Sequence, residues 1–86
     1  MRLIWSLIAW EDYIYWQKTN KKKVKRINEL IKNCLRTPFE GIGKPEALKG
    51  GLQGYWSRRI DTEHRLVYKY EQEQLFVVAC RYHYNK

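Results

Sequence analysis

The chain has 86 residues, with 17 Lys and Arg against 9 Asp and Glu, a formal net charge of +8 and 44% hydrophobic residues. That length fits one domain spanning residues 1–86, and no run approaches the roughly 20 apolar residues that cross a bilayer, so no membrane partner is expected. Two cysteines, Cys34 and Cys80, lie far apart without metal-ligand spacing, which excludes a disulfide scaffold and a cysteine metal site and fits a reduced, cytoplasmic protein.

Arg2 to Trp5 reads as a first strand, and Ser6 as the N-cap of a helix reaching about Lys18, with Ala9, Trp10, Tyr13, Ile14 and Trp16 as its apolar face. Thr19 or Asn20 breaks that helix and can cap the next. Between Lys21 and Arg36, Val24, Ile27, Leu30, Ile31, Cys34 and Leu35 recur at spacings of three and four, the clearest amphipathic helix in the chain. Pro38 stops it. Phe39 to Gly51 collects four of the five glycines and reads as a loop with one turn at Glu46-Ala47-Leu48-Lys49. Three strands follow, over Tyr55–Ile60, His64–Tyr70 and Leu75–His83, separated by hairpin spacers at 61–63 and 71–74. The predicted class is α+β, two N-terminal helices packed on a small twisted antiparallel sheet.

The register carries a functional argument. A three-residue loop at Asp61-Thr62-Glu63 pairs Ile60 with His64 and sets Arg59 opposite Arg65 on one face. Like charges directly opposed destabilise a hairpin, and an anion such as a phosphate offsets them. The last strand runs back toward the same turn, so His83 converges on the two arginines. Metal-free RNA cleavage needs a base for the 2′-hydroxyl, an acid for the departing 5′-oxygen and cations for the charged transition state. Glu46 is the candidate base, His83 the candidate acid and Arg65 the candidate stabiliser, supported by Arg59 and Lys49. From pattern alone, duller readings stand beside these. His83 can be a structural histidine, as His64 beside the turn is read to be. Glu46 and Lys49 can form a surface ion pair. The lysines from Lys18 to Lys25 can be no more than the solvated side of a helix. Tyr82 and Tyr84 either pack or offer stacking platforms for bases. A non-catalytic basic module that binds RNA or the ribosome is the alternative to an enzyme.

Blocks along the whole chain resemble the RelE superfamily of toxin–antitoxin toxins, in its YoeB-like branch. They include Leu3-Ile4-Trp5-Ser6, Asp12-Tyr13, Tyr15-Trp16, Ile27-Asn28-Glu29-Leu30-Ile31-Lys32, Arg36-Thr37-Pro38-Phe39-Glu40-Gly41 and Gly43-Lys44-Pro45-Glu46. Trp56-Ser57-Arg58-Arg59-Ile60, Glu63-His64-Arg65-Leu66-Val67-Tyr68 and Ala79-Cys80-Arg81-Tyr82-His83-Tyr84 complete the series. The resemblance implies a microbial-RNase-like fold and a ribosome-dependent mRNA interferase that cuts messages in the A site of the 70S ribosome. It implies Glu46 as general base, His83 as general acid and Arg65 as transition-state stabiliser. Lys49 and Arg59 take phosphate-binding places, and Tyr84 that of a terminal tyrosine needed for activity. No cofactor and no metal is implied. The implied partners are a YefM-like antitoxin, operator DNA through the antitoxin complex, and a second copy in a homodimer. Two features depart from that pattern: Asn85-Lys86 follow the terminal tyrosine, and the first helix opens with the apolar Leu7-Ile8-Ala9. That apolar segment either enlarges the core or makes a contact patch.

Overall fold

In the computed structural model, residues 1–82 are described. Strand β1 (Arg2–Trp5) leads into helices α1 (Leu7–Thr19) and α2 (Lys21–Arg36), followed by a short strand β2 (Glu46–Ala47), a 3₁₀ turn (Gly50–Leu52) and strands β3 (Trp56–Arg59), β4 (Arg65–Glu71) and β5 (Gln74–Ala79). The helix boundaries follow from their caps. Ser6 Oγ accepts the Ala9 N–H at 3.0 Å, and Asn20 Oδ1 accepts the N–H groups of Lys22 and Lys23. These bonds satisfy donors that a helix start leaves unpaired.

The five strands form one sheet in the order β1-β5-β4-β3-β2. Four of them pair antiparallel, as their short connections require, but β1 runs parallel to β5 with Arg2 opposite Gln74. A parallel neighbour needs a long crossover, and both helices supply it. Both helices cover one face of the sheet. Ala9 and Trp16 from α1 and Ile27, Leu30, Ile31 and Cys34 from α2 pack on Leu66, Tyr68, Leu75 and Val77. No helix among the described residues covers the opposite face.

Two local expectations change and one left open is decided. Glu46–Ala47 joins the sheet as β2, opposite Ser57 and Trp56, in place of part of a loop turn. The last strand ends at Ala79, short of His83, because both backbone groups of Cys80 are drawn to α1. Trp16 Nε1 donates to the Cys80 carbonyl at 2.8 Å, and the Cys80 N–H donates to Asp12 Oδ2 at 3.0 Å. A register shift between Val67 and Tyr68 against β5 precedes that departure. Finally, Leu7 and Ile8 stay outside the core, 71% and 64% exposed, beside exposed Leu3 and Trp10.

Candidate active site

The open face is laid out by strand alternation. Glu46 stands opposite Ser57, Ser57 opposite Val67, and Arg59 opposite Arg65, so all five side chains share that face. The Arg59–Arg65 pairing is the one the hairpin count predicted, with Ile60 N–H donating to the His64 carbonyl at 2.9 Å. Arg65 is the centre of the cluster. Its Nη1 donates to Ser57 Oγ at 3.1 Å and reaches Glu46 Oε1 at 3.5 Å. The arginine side chain is 14% exposed and the Glu46 carboxylate 64% exposed. The Glu46 contact is long for a charge-assisted bond, which is normally about 2.7–2.9 Å. Among the described residues, Nε and Nη2 of Arg65 make no hydrogen bond, leaving donors of the planar fork that suits a phosphate.

Arg59 is exposed, and its main chain is fixed on both sides. Its N–H donates to the Gly43 carbonyl at 2.7 Å, and its own carbonyl accepts from Arg26 Nη2 at 3.2 Å. Lys49 is exposed at the entrance of the 3₁₀ turn, and the ion pair of Glu46 is made with Arg65. His83 and Tyr84, the predicted acid and terminal tyrosine, lie outside the described residues. Tyr82, just before them, turns its ring outward with 57% exposure. Among the described residues no group of three or more His, Cys, Asp or Glu side chains is placed to hold a metal ion. No helix among them is long and apolar enough to cross a membrane.

A family model described as YoeB-like toxin of bacterial type II toxin-antitoxin system matches residues 5–84. The chain belongs to that family. It is 63% identical over 84 residues to Toxin YoeB of Escherichia coli (strain K12), covering 98% of this chain and 100% of that one. Among solved structures it is similar to a YoeB/ParE toxin from Agrobacterium tumefaciens, with a TM-score of 0.94 at 53% identity over 98% of this chain and 100% of that one. It is also similar to the toxin in a YoeB-YefM complex from Staphylococcus aureus, with a TM-score of 0.90 at 52% identity over 98% of each chain. A YoeB dimer from Staphylococcus aureus matches with a TM-score of 0.91 at 50% identity, again over 98% of each chain.

In this toxin, two residues that sequence reasoning passed over shape the cluster. Ser57 is fully buried beneath Arg65 and fixes its Nη1. Arg58 points to the opposite face and is also fully buried, although it has no carboxylate partner among the described residues. Its guanidinium donates to Tyr68 Oη at 3.1 Å, to Asn33 Oδ1, and to the carbonyls of Thr37 at 2.7 Å, Glu40 at 3.0 Å and Ile42 at 3.2 Å. The loop from Thr37 to Gly43, which delivers Glu46 to the sheet, is thereby tied to β3. The loop must pass close by. Gly41 has φ +129° and Gly43 φ +81°, and a Cβ on Gly43 would meet Leu30 Cδ2 at 2.7 Å. The signal for Arg58 was in the sequence: alternation puts it in line with Trp56 and Ile60, on the core side.

The turn that sets Arg65 has its own lock. Asp61 Oδ1 accepts the N–H groups of Glu63 and His64 at 2.7 and 2.6 Å, and its other oxygen pairs with Lys23 of α2. Partial burial pushes the carboxyl up, but the Lys23 and backbone hydrogen bonds outweigh it and hold the group at about 2. An unfolded aspartate titrates near ~3.9. The ionised group therefore stabilises the fold above that value, and its contribution is lost as pH falls from roughly 4 toward 2. Asp61→Asn is expected to lower the urea midpoint at neutral pH, and the gap from the parent should narrow below about pH 4. A gap that stays constant with pH removes Asp61 from this role. Both thiols are pushed up by burial, Cys80 to about 12, which makes them packing groups and not nucleophiles.

Proposed function

We propose that residues 1–86 act as one toxin domain, a ribosome-dependent mRNA interferase that cleaves messages in the ribosomal A site by metal-free acid–base chemistry. The observation that carries this reading is the reach of Arg65 from buried Ser57 to the exposed Glu46 carboxylate, with Arg59 paired opposite. A phosphate seated on the Arg65 donors that no described residue takes would neutralise the opposed arginines. In the proposed reaction Glu46 takes the proton of the 2′-hydroxyl. The 2′-oxygen bonds to phosphorus while the bond to the 5′-oxygen breaks, and His83 supplies the proton to that leaving oxygen. The products are a 2′,3′-cyclic phosphate and a 5′-hydroxyl. Arg65, with Arg59 and Lys49, holds the charge that develops on phosphorus, the place where fixed cations contribute most. Tyr84 is assigned a part in binding the RNA.

The proposed partners follow from the relatives. The YoeB-YefM complex supports a YefM-like antitoxin as partner, and the YoeB dimer supports a homodimer here; silencing by that antitoxin and operator DNA bound through the complex belong to the same proposal. The net charge of +8 suits ribosomal RNA and an acidic antitoxin segment alike.

The deciding experiment maps mRNA ends by primer extension in a purified translation system, with and without ribosomes, using Glu46→Ala as control. Cuts at the A-site codon that need ribosomes and vanish in the variant are the expected result. Stalling without cuts, equal in parent and variant, identifies a basic ribosome-binding module and removes the catalytic assignment.

A further inference from the structure

His64 sits beside a hairpin turn, where a histidine usually serves packing, and its ring does pack. It is 9% exposed and meets Trp16 edge-on, with centroids 4.8 Å apart and planes at 80°. Its Nδ1, however, accepts the N–H of Tyr82 at 2.7 Å. The next residue holds the other backbone polar group of Tyr82, since the Arg65 N–H donates to the Tyr82 carbonyl at 3.1 Å. Both backbone polar groups of Tyr82 are thus gripped by Arg65, which opens β4, and by His64 just before it. Tyr82 adopts φ +69°, a left-handed conformation that a tyrosine rarely takes without outside support. Upstream, Asp12 and Trp16 fix Cys80, and the guanidinium of Arg81 stacks on Tyr15 at 3.5 Å. Among the described residues, His64 is then the last side chain to hold the backbone before position 83.

We propose that His64 is a positioning residue: by accepting the Tyr82 N–H it fixes the backbone that carries His83 against the strand that carries Arg65. This rests on the proposed acid role of His83. The bond needs a bare Nδ1, so the ring hydrogen sits on Nε2, facing Glu63 Oε1 at 3.6 Å. The adjacency of His64 and Arg65 has a physical consequence. Successive strand residues point to opposite faces, so one strand start delivers the guanidinium to the open face and the imidazole to the clamp beneath. Any shift of β4 moves Arg65 and the Tyr82 backbone together.

The test compares three variants of the full chain. In His64→Asn the amide oxygen falls where Nδ1 stands, in His64→Gln it lies further out, and His64→Leu keeps apolar packing without an acceptor. Hydrogen exchange of the Tyr82 amide is read by NMR. Single-turnover cleavage on programmed ribosomes is measured over a range of toxin concentrations. Displacing a general acid forfeits part of the ~10²–10⁴-fold that such a group contributes. His64→Leu is accordingly expected to lower the maximal rate by about 10–100-fold, with the half-saturating concentration within about threefold and Tyr82 exchange about tenfold faster or more. His64→Asn should restore protection and most of the rate, and His64→Gln should not. Wild-type protection and rate in His64→Leu or His64→Gln overturns the proposal, as does His64→Asn failing as badly as His64→Gln at equal melting temperature. Should His64→Leu fail to fold, the Asn and Gln pair decides alone. Wild-type cleavage by His83→Gln would instead overturn the acid role, while Tyr82 exchange still reports on the clamp by itself.

Discussion

Arg65→Met is expected to lower ribosome-dependent cleavage by about 10²–10³-fold, the size of effect seen when one preorganised donor to a developing negative charge is removed. The substitution keeps the volume of the stem and removes the fork. The Glu46 contact, at the limit of hydrogen-bond distance and partly exposed, contributes about 0–1 kcal/mol. Buried Ser57 Oγ loses its partner at a cost of about 1–3 kcal/mol, so cleavage is compared at a temperature where both proteins stay folded. Arg65→Lys restores charge without the planar pair of donors and should fall between parent and Met variant. The contrast with Glu46→Gln is informative. Losing a general base costs about 10²–10⁴-fold but leaves the cationic face whole, so ribosome binding should survive. A Met variant that cleaves within about threefold of the parent would remove Arg65 from the transition state, given the expected size of the term.

The second large effect concerns stability. Arg58→Met is expected to destabilise the fold by about 3–5 kcal/mol, the range for removing one member of a buried, charged hydrogen-bond network. The reason lies in what is left behind. The carbonyls of Thr37, Glu40 and Ile42, Asn33 Oδ1 and Tyr68 Oη all use this one guanidinium, and no other side chain has five donors in a fixed plane. Arg58→Lys, with three donors and a point charge, should rescue only part of the loss. Urea unfolding measures the stability. Cleavage at a temperature where the variant stays folded then shows whether the loop that delivers Glu46 has slackened. A loss under about 1 kcal/mol would mean that water replaces the guanidinium.

Much of the fold was legible because local chemistry sets it. Caps at Ser6 and Asn20, the three-and-four spacing of Ile27, Leu30, Ile31 and Cys34, and the stop at Pro38 are all short-range signals. The Arg59–Arg65 pairing was legible for a related reason, since a three-residue spacer between two strands fixes the register arithmetically. The β2 strand was not. Two exposed residues after a proline carry no alternation, and Glu46–Ala47 becomes a strand only because β3 offers it an edge.

By itself, then, the sequence determined the two helices, the β3–β4 hairpin, the cationic balance and the family, all of which rest on near neighbours in the chain or on residue identities in order. The tertiary structure alone decided three things. It laid β1 parallel to β5, it spent Arg58 on the carbonyls of a loop, and it closed His64 on the backbone of Tyr82. Each joins residues 16 or more positions apart through backbone groups that nearly every residue carries. A backbone N–H or carbonyl has no letter in the sequence, so which side chain it will meet is settled only when the chain has packed.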